Sequence, residues 1–151
     1  MTAQSIIQLL EHTSWRPTSP AAPIPSTFLG RSLPEDYLAL MRWSNGGTAQ
    51  LGTSPLSCCE LWPFELLEAN QGLVNEYMPD CISIGGDGAS REFVIDYRSG
   101  VPGSVLSVDR GDMGWNCDTL RILGATLLDA LLTLRDVPPG VDRPSLIGRP
   151  A

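Results

Sequence analysis

The chain of 151 residues contains no lysine: all ten basic residues are arginines, and they are scattered rather than clustered. Phosphate recognition needs concentrated positive charge, so a chain of net charge −7 without a basic cluster is a poor nucleic-acid binder. Histidine occurs once, at His12, so a histidine-based triad would have to use that residue, and no nucleophile is cued beside it. The four cysteines, Cys58, Cys59, Cys81 and Cys117, form no CxxC pair, so the common zinc and redox spacings are missing and buried free thiols are expected. Long apolar runs are missing too. Ala125–Leu134 is broken by Asp129, and nothing reaches the roughly 20 residues of a membrane span. The N-terminus, MTAQSIIQLLEH, has no cationic start and no cleavage site, which predicts a cytoplasmic protein.

What is present is 42% hydrophobic residues, enough for a real core in a chain of this length. Ile6, Ile7, Leu9 and Leu10 alternate with Gln4, Gln8 and Glu11 at helical spacing, predicting a first helix over Ala3–His12. Pro17, Pro20, Pro23 and Pro25 then exclude helix and central strand, leaving an extended connector. The stretch "SLPEDYLALMRWSNGG" reads as a second helix. Ser32 is its expected cap, Pro34 suits its first turn, and Glu35 and Asp36 sit at the positive end of the helix dipole. Tyr37, Leu38, Leu40, Met41 and Ser44 form its inner face, and Asn45-Gly46-Gly47 stops it with residues that tolerate positive φ.

Leu56–Trp62 is expected to be a strand, and Phe64–Tyr77 a third helix weakened by Gly72. From Cys81 the period changes to two. "CISIGG", "REFVIDY" and "SVLSVD" predict a three-stranded antiparallel meander, with Glu92, Val94 and Asp96 on one face and Phe93, Ile95 and Tyr97 on the other. "RGDMGWNC" is a loop, and Gly124–Leu134 a last amphipathic helix. The fold class is therefore α+β: an antiparallel meander with helices packed on one face, in one domain over residues 1–136, followed by a Pro-rich tail over 137–151.

The letters of the second helix have a further explanation. Leu33, Pro34, Asp36, Tyr37, Leu40, Asn45, Gly46 and Gly47 resemble the signature of the SUKH superfamily (Smi/Knr-like). "IGGDGASREFVIDY" is similar to that family's glycine-acid-glycine turn and following strand. The resemblance spans about Leu33–Leu134. Two features depart from the pattern: Pro17–Arg31 is irregular where members often carry a helix, and Ser90-Arg91 stands where a glycine is usual. The resemblance implies an α+β fold without catalysis or cofactor. In bacteria it implies an immunity protein that neutralises a polymorphic or contact-dependent toxin, often a nuclease or deaminase. Some eukaryotic members instead regulate cell-wall synthesis.

Candidate chemistry weighs less. Asp87 in Gly85-Gly86-Asp87-Gly88 reads as a hairpin turn, because a phosphate loop would need Gly-Lys-Ser/Thr. Asp109, Asp112 and Asp118 miss calcium-loop spacing, so no metal is expected there. Glu60 with Glu65, or Glu92 with Asp96, would be paired carboxylates only if they shared a cleft. Trp115 is either an exposed anchor or a lid on the core. If the acidic surface captures a protein partner, its expected contacts are Asp87, Asp109, Asp112 and Trp115, with no nucleic acid and no membrane involved. A thiol or carboxylate enzyme and a regulatory scaffold remain the alternatives.

Overall fold

Helix α1 (Thr2–Glu11) buries Ile6 and Leu10 completely, as its amphipathic spacing requires. The computed structural model describes residues 2–20 and 22–138. Most of the expected Pro-rich tail lies outside the described residues. The connector after α1 is extended and contributes a two-residue edge strand, β1 (Arg16–Pro17). A small hairpin, β2 (Thr27–Phe28) and β3 (Arg31–Ser32), closes the stretch that reads as irregular in the sequence.

Helix α2 (Glu35–Ser44) starts two residues later than Ser32 would have set it. Ser32 is in β3, and Pro34 is the N-cap, without a side-chain cap bond. The buried carboxylate of Asp36 takes up donors instead. Oδ1 accepts the Tyr37 N–H at 2.8 Å, and Oδ2 accepts the Leu128 N–H at 2.9 Å, tying the first turn of α2 to that of α4 (Leu127–Arg135). Tyr37, Leu38, Leu40, Met41 and Ser44 all point inward, as the spacing predicts. The helix ends at Asn45 in the left-handed region (φ 44°), followed by Gly46 (φ 85°).

Seven strands form one antiparallel sheet in the order β1, β4 (Gly47–Gln50), β5 (Cys58–Leu61), β6 (Cys81–Gly86), β7 (Arg91–Asp96), β8 (Val105–Asp109), β9 (Arg121–Gly124). The expected meander is its centre. The sequence reading missed β4 and β9, which are short and carry little apolar alternation. The expected helix over Phe64–Tyr77 is instead two 3-10 turns, Phe64–Leu66 and Glu68–Asn70, and a six-residue helix, α3 (Gly72–Tyr77). Buried Gln71 is the reason for the break. Its amide bonds both the N–H (2.9 Å) and the C=O (2.7 Å) of Ser83, beside a bulge in β6, so the side chain serves that stretch of strand as a pairing partner.

Each face of the sheet has its own core. Leu61, Ile82, Ile84, Phe93, Ile95 and Leu123 point towards α1, α2 and α4. Val94, Leu106 and Val108 point the other way, under Val74 of α3, Met78 just after it, and the loop that carries Met113, Trp115 and Leu120. The fold is α+β, with three helices on one face and the short α3 on the other.

Candidate functional site

Ser44–Gly47 is a junction of four chain segments. The Asn45 side chain is fully buried. Its Nδ2 donates to the Pro20 carbonyl (3.1 Å) and to Glu65 Oε1 (2.9 Å), while Oδ1 accepts the Phe64 N–H (2.9 Å). Ser44 Oγ donates to the Gly46 carbonyl (2.8 Å) and accepts from the Trp15 indole (2.7 Å). A Cβ on Gly46 would lie 2.7 Å from the Leu61 carbonyl oxygen, so only glycine allows this approach. Asparagine supplies both the left-handed conformation and the three bonds. The motif is thus a structural hub, and its outer limb, Glu65, is held below its ordinary value by the Asn45 hydrogen bond and by its own backbone.

The predicted contact residues fall into two places. Asp87 lies in the β6–β7 turn, where Oδ1 accepts the N–H groups of Ala89 (2.9 Å) and Arg91 (3.0 Å). Asp109 ends β8, accepting the Gly111 N–H at 2.8 Å, and Asp112 is exposed in the following 3-10 turn. Arg110 stitches the two turns together: its N–H reaches the Ser90 carbonyl (2.9 Å) and its Nη1 the Ala89 carbonyl (2.6 Å). The three aspartates therefore share one end of the sheet. Trp115 does not join them. Its indole N–H donates to the Pro79 carbonyl (2.8 Å), just before β6 starts. The Arg98 guanidinium stacks on its ring at 3.8 Å, just after β7 ends. Pro79 and Arg98 lie at the opposite end of these strands, so the ring reaches away from the aspartates even though Trp115 follows Asp112 by three residues. The half-buried ring closes the second core from that side.

The carboxylate pairs disfavoured by the sequence, Glu60 with Glu65 and Glu92 with Asp96, are engaged separately. Asp96 is burdened by burial, yet the hydrogen bonds and charge of Arg98 (2.9 Å) hold it below its ordinary value. Glu65 belongs to the Asn45 junction, whereas Glu60 lies on the sheet. Burial pushes the Cys59 and Cys81 thiols up to about 12, the reverse of an activated nucleophile. His12 is held on α1 by the Gln8 carbonyl (2.7 Å). Among the described residues, no group of three or more histidine, cysteine or acidic side chains is placed to hold a metal ion.

Sequence reasoning missed the row that crosses the second face. Cross-strand pairing aligns Arg16, Thr48, Glu60, Gly86, Glu92 and Val108. Glu92 is almost wholly buried, and its Oε1 accepts from Arg110 Nε at 3.1 Å. Two open clefts flank this row. One, of about 460 Å³, is lined by Arg16, Gln50, Cys58, Glu60 and Asp87 among others. The other, of about 410 Å³, is lined by Trp62, Asn70, Gly72, Leu73, Glu92 and Arg110. No sequence signal marks Arg110 or Trp62. The strand alternation around Glu92 marks only a face.

A seven-stranded antiparallel sheet, one face closed by helices and organised around a buried Asn-Gly-Gly helix stop, defines the class of α+β module that the sequence motifs indicated. The SMI1 / KNR4 family (SUKH-1) model matches residues 26–128, and the chain belongs to that family. No curated protein matches the chain significantly. No helix among the described residues is long and apolar enough to cross a membrane.

Proposed function

We propose that the protein is a non-enzymatic binding module and acts as an immunity protein, neutralising a bacterial toxin domain such as a nuclease or deaminase. Membership of the SMI1 / KNR4 family carries the reading, since the family fits a protein-binding module. Charge supports it: a net charge of −7 complements a basic partner and raises its encounter rate. Asp87, Asp109 and Asp112, gathered at one end of the sheet, form the proposed electrostatic contact. Trp115, three residues after Asp112, contributes by holding that loop against the second core. The raised thiol pKa values of Cys59 and Cys81 make those two poor nucleophiles.

The test is neutralisation. Toxin-domain genes beside the native locus are expressed with and without this chain in a sensitive host. Rescue of growth together with a co-purifying complex supports the proposal. Persistent toxicity with every neighbouring toxin gene, alongside capture of several host proteins, would favour a regulatory scaffold.

A further inference from the structure

The second face of the sheet holds a charged group whose bonding is incomplete. Glu92 is buried to all but 3% of its surface. Oε1 is bonded by Arg110, but no donor among the described residues reaches Oε2. A buried carboxylate oxygen without a donor is costly, so such an atom asks what completes it. Gly86, its cross-strand neighbour, has no room for a side chain: a Cβ there would clash with the Arg91 carbonyl oxygen and lie 2.7 Å from Arg110 Nη2, so the arginine lies across this glycine. Arg110 is itself nearly one-third exposed and roofs the carboxylate from the solvent side. The cleft beside it is lined by Asn70 and by Trp62, which also packs against the helical-face core. Glu60, next but one in the same row, and Asp87 line the adjoining cleft together with Arg16, so three acids along this stretch face two arginines, Arg16 and Arg110.

From this geometry we infer that the Glu92 cleft is a docking pocket for an arginine side chain of the protein partner. The guanidinium donates to Glu92 Oε2 and packs beside Trp62, while Arg110 keeps its bonds to Glu92 Oε1 and the Ala89 carbonyl. A guanidinium suits the pocket better than an ammonium, because it is planar, weakly hydrated and able to donate and stack at once. This deepens the partner-binding reading by naming the partner's anchoring group. It is tested without any partner, so its failure is separable from a failure of toxin neutralisation.

Titration of the whole protein with methylguanidinium chloride, followed through the Trp62 indole N–H resonance, reads the pocket directly. Methylammonium chloride at equal ionic strength is the control. We expect a saturable shift with methylguanidinium, a much weaker one with methylammonium, and about a tenfold or greater loss of affinity in Glu92→Gln, the scale of one charged hydrogen bond. Should Glu92→Gln fail to fold, Gly72→Leu keeps the test decisive. A Cβ on Gly72 meets nothing within 4 Å, so the added side chain narrows the cleft mouth without touching the sheet, and it too should abolish the shift. A blocked Gly-Arg-Gly peptide separates a side-chain site from a site for free solutes, and it should bind at least as well as methylguanidinium. The inference is overturned by any of three results: no saturable shift in the wild type, the same affinity in a folded Glu92→Gln or Gly72→Leu variant, or binding of methylguanidinium with exclusion of the peptide.

Discussion

The face of the sheet under α1, α2 and α4 and the face under α3 and the 110–120 loop are built from alternate residues of the same strands, yet they are closed differently. The first is sealed by three helices over aliphatic side chains from every strand between β4 and β9. The second is apolar only over β6 to β9, around Val94, Leu106 and Val108, and turns polar towards Thr48, Glu60 and Glu92. A long apolar seal makes one face a store of stability. A partial seal leaves the other with room for clefts and charge. Stability and recognition can thus be altered separately, and mutations should sort by face.

The largest effect is expected on the helical face. Leu40→Ala removes a fully buried side chain from α2 and should cost about 2–5 kcal/mol in chemical denaturation. A loss under about 1 kcal/mol would mean that this face is not the main store. Next is the junction. Asn45→Ala strands the Phe64 N–H and the Pro20 carbonyl, for roughly 2–3 kcal/mol, while Asn45→Gly tests whether the bonds or the left-handed backbone matter more. Trp115→Ala opens the second core from one end. Because the ring is only half-buried, about 1–3 kcal/mol is expected, less than a fully buried aromatic would lose, visible as a lower melting temperature of the free protein. If that variant melts normally but releases its partner faster, Trp115 acts as an anchor and the contrast between the faces shifts.

Smaller effects belong to the acids. Asp109→Asn with Asp112→Asn should leave stability within about 0.5 kcal/mol, yet slow partner association and flatten its dependence on salt. Stopped-flow association across a salt series reads this. The slightest effect concerns pH. Glu65 is lowered in the folded state, so its contribution is present above its unfolded value, near 4.5, and fades as pH falls through the folded value. Glu65→Gln should remove that part of the acid-limb slope in melting curves, lowering the melting temperature slightly at neutral pH, where the contribution is present, and converging with the wild type in acid.

Much of the helical face was legible beforehand. Tyr37, Leu40 and Met41 repeat at helical spacing, and Phe93 and Ile95 at strand spacing, because burial on one side imposes a period. The second face was less so. Glu92 and Val94 read as an outward surface, but both are buried beneath α3 and the 110–120 loop. The unbroken apolar runs "FVI" and "VL" were the available sign of two-sided cover. Gln71 replacing a strand partner, and Arg110 reaching back over Gly86, depend on contacts between distant segments, which no local pattern encodes. The three aspartates were picked as loop acids. Their gathering at one end, and the separation of Trp115 from them, follow from strand register.

Pro17 in β1 has a consequence for how partners attach. An outermost strand normally offers unpaired N–H and C=O groups to any extended peptide, including another copy of the same chain. Here the outermost strand is two residues long, ends in a proline, and leads into Pro20, Pro23 and Pro25, none of which has an N–H to give. At the far side, β9 ends at Gly124 directly against the first turn of α4. Recruitment by strand addition is therefore closed on the Pro17 side. The same feature guards the folded protein against growing into fibres by edge-to-edge pairing there.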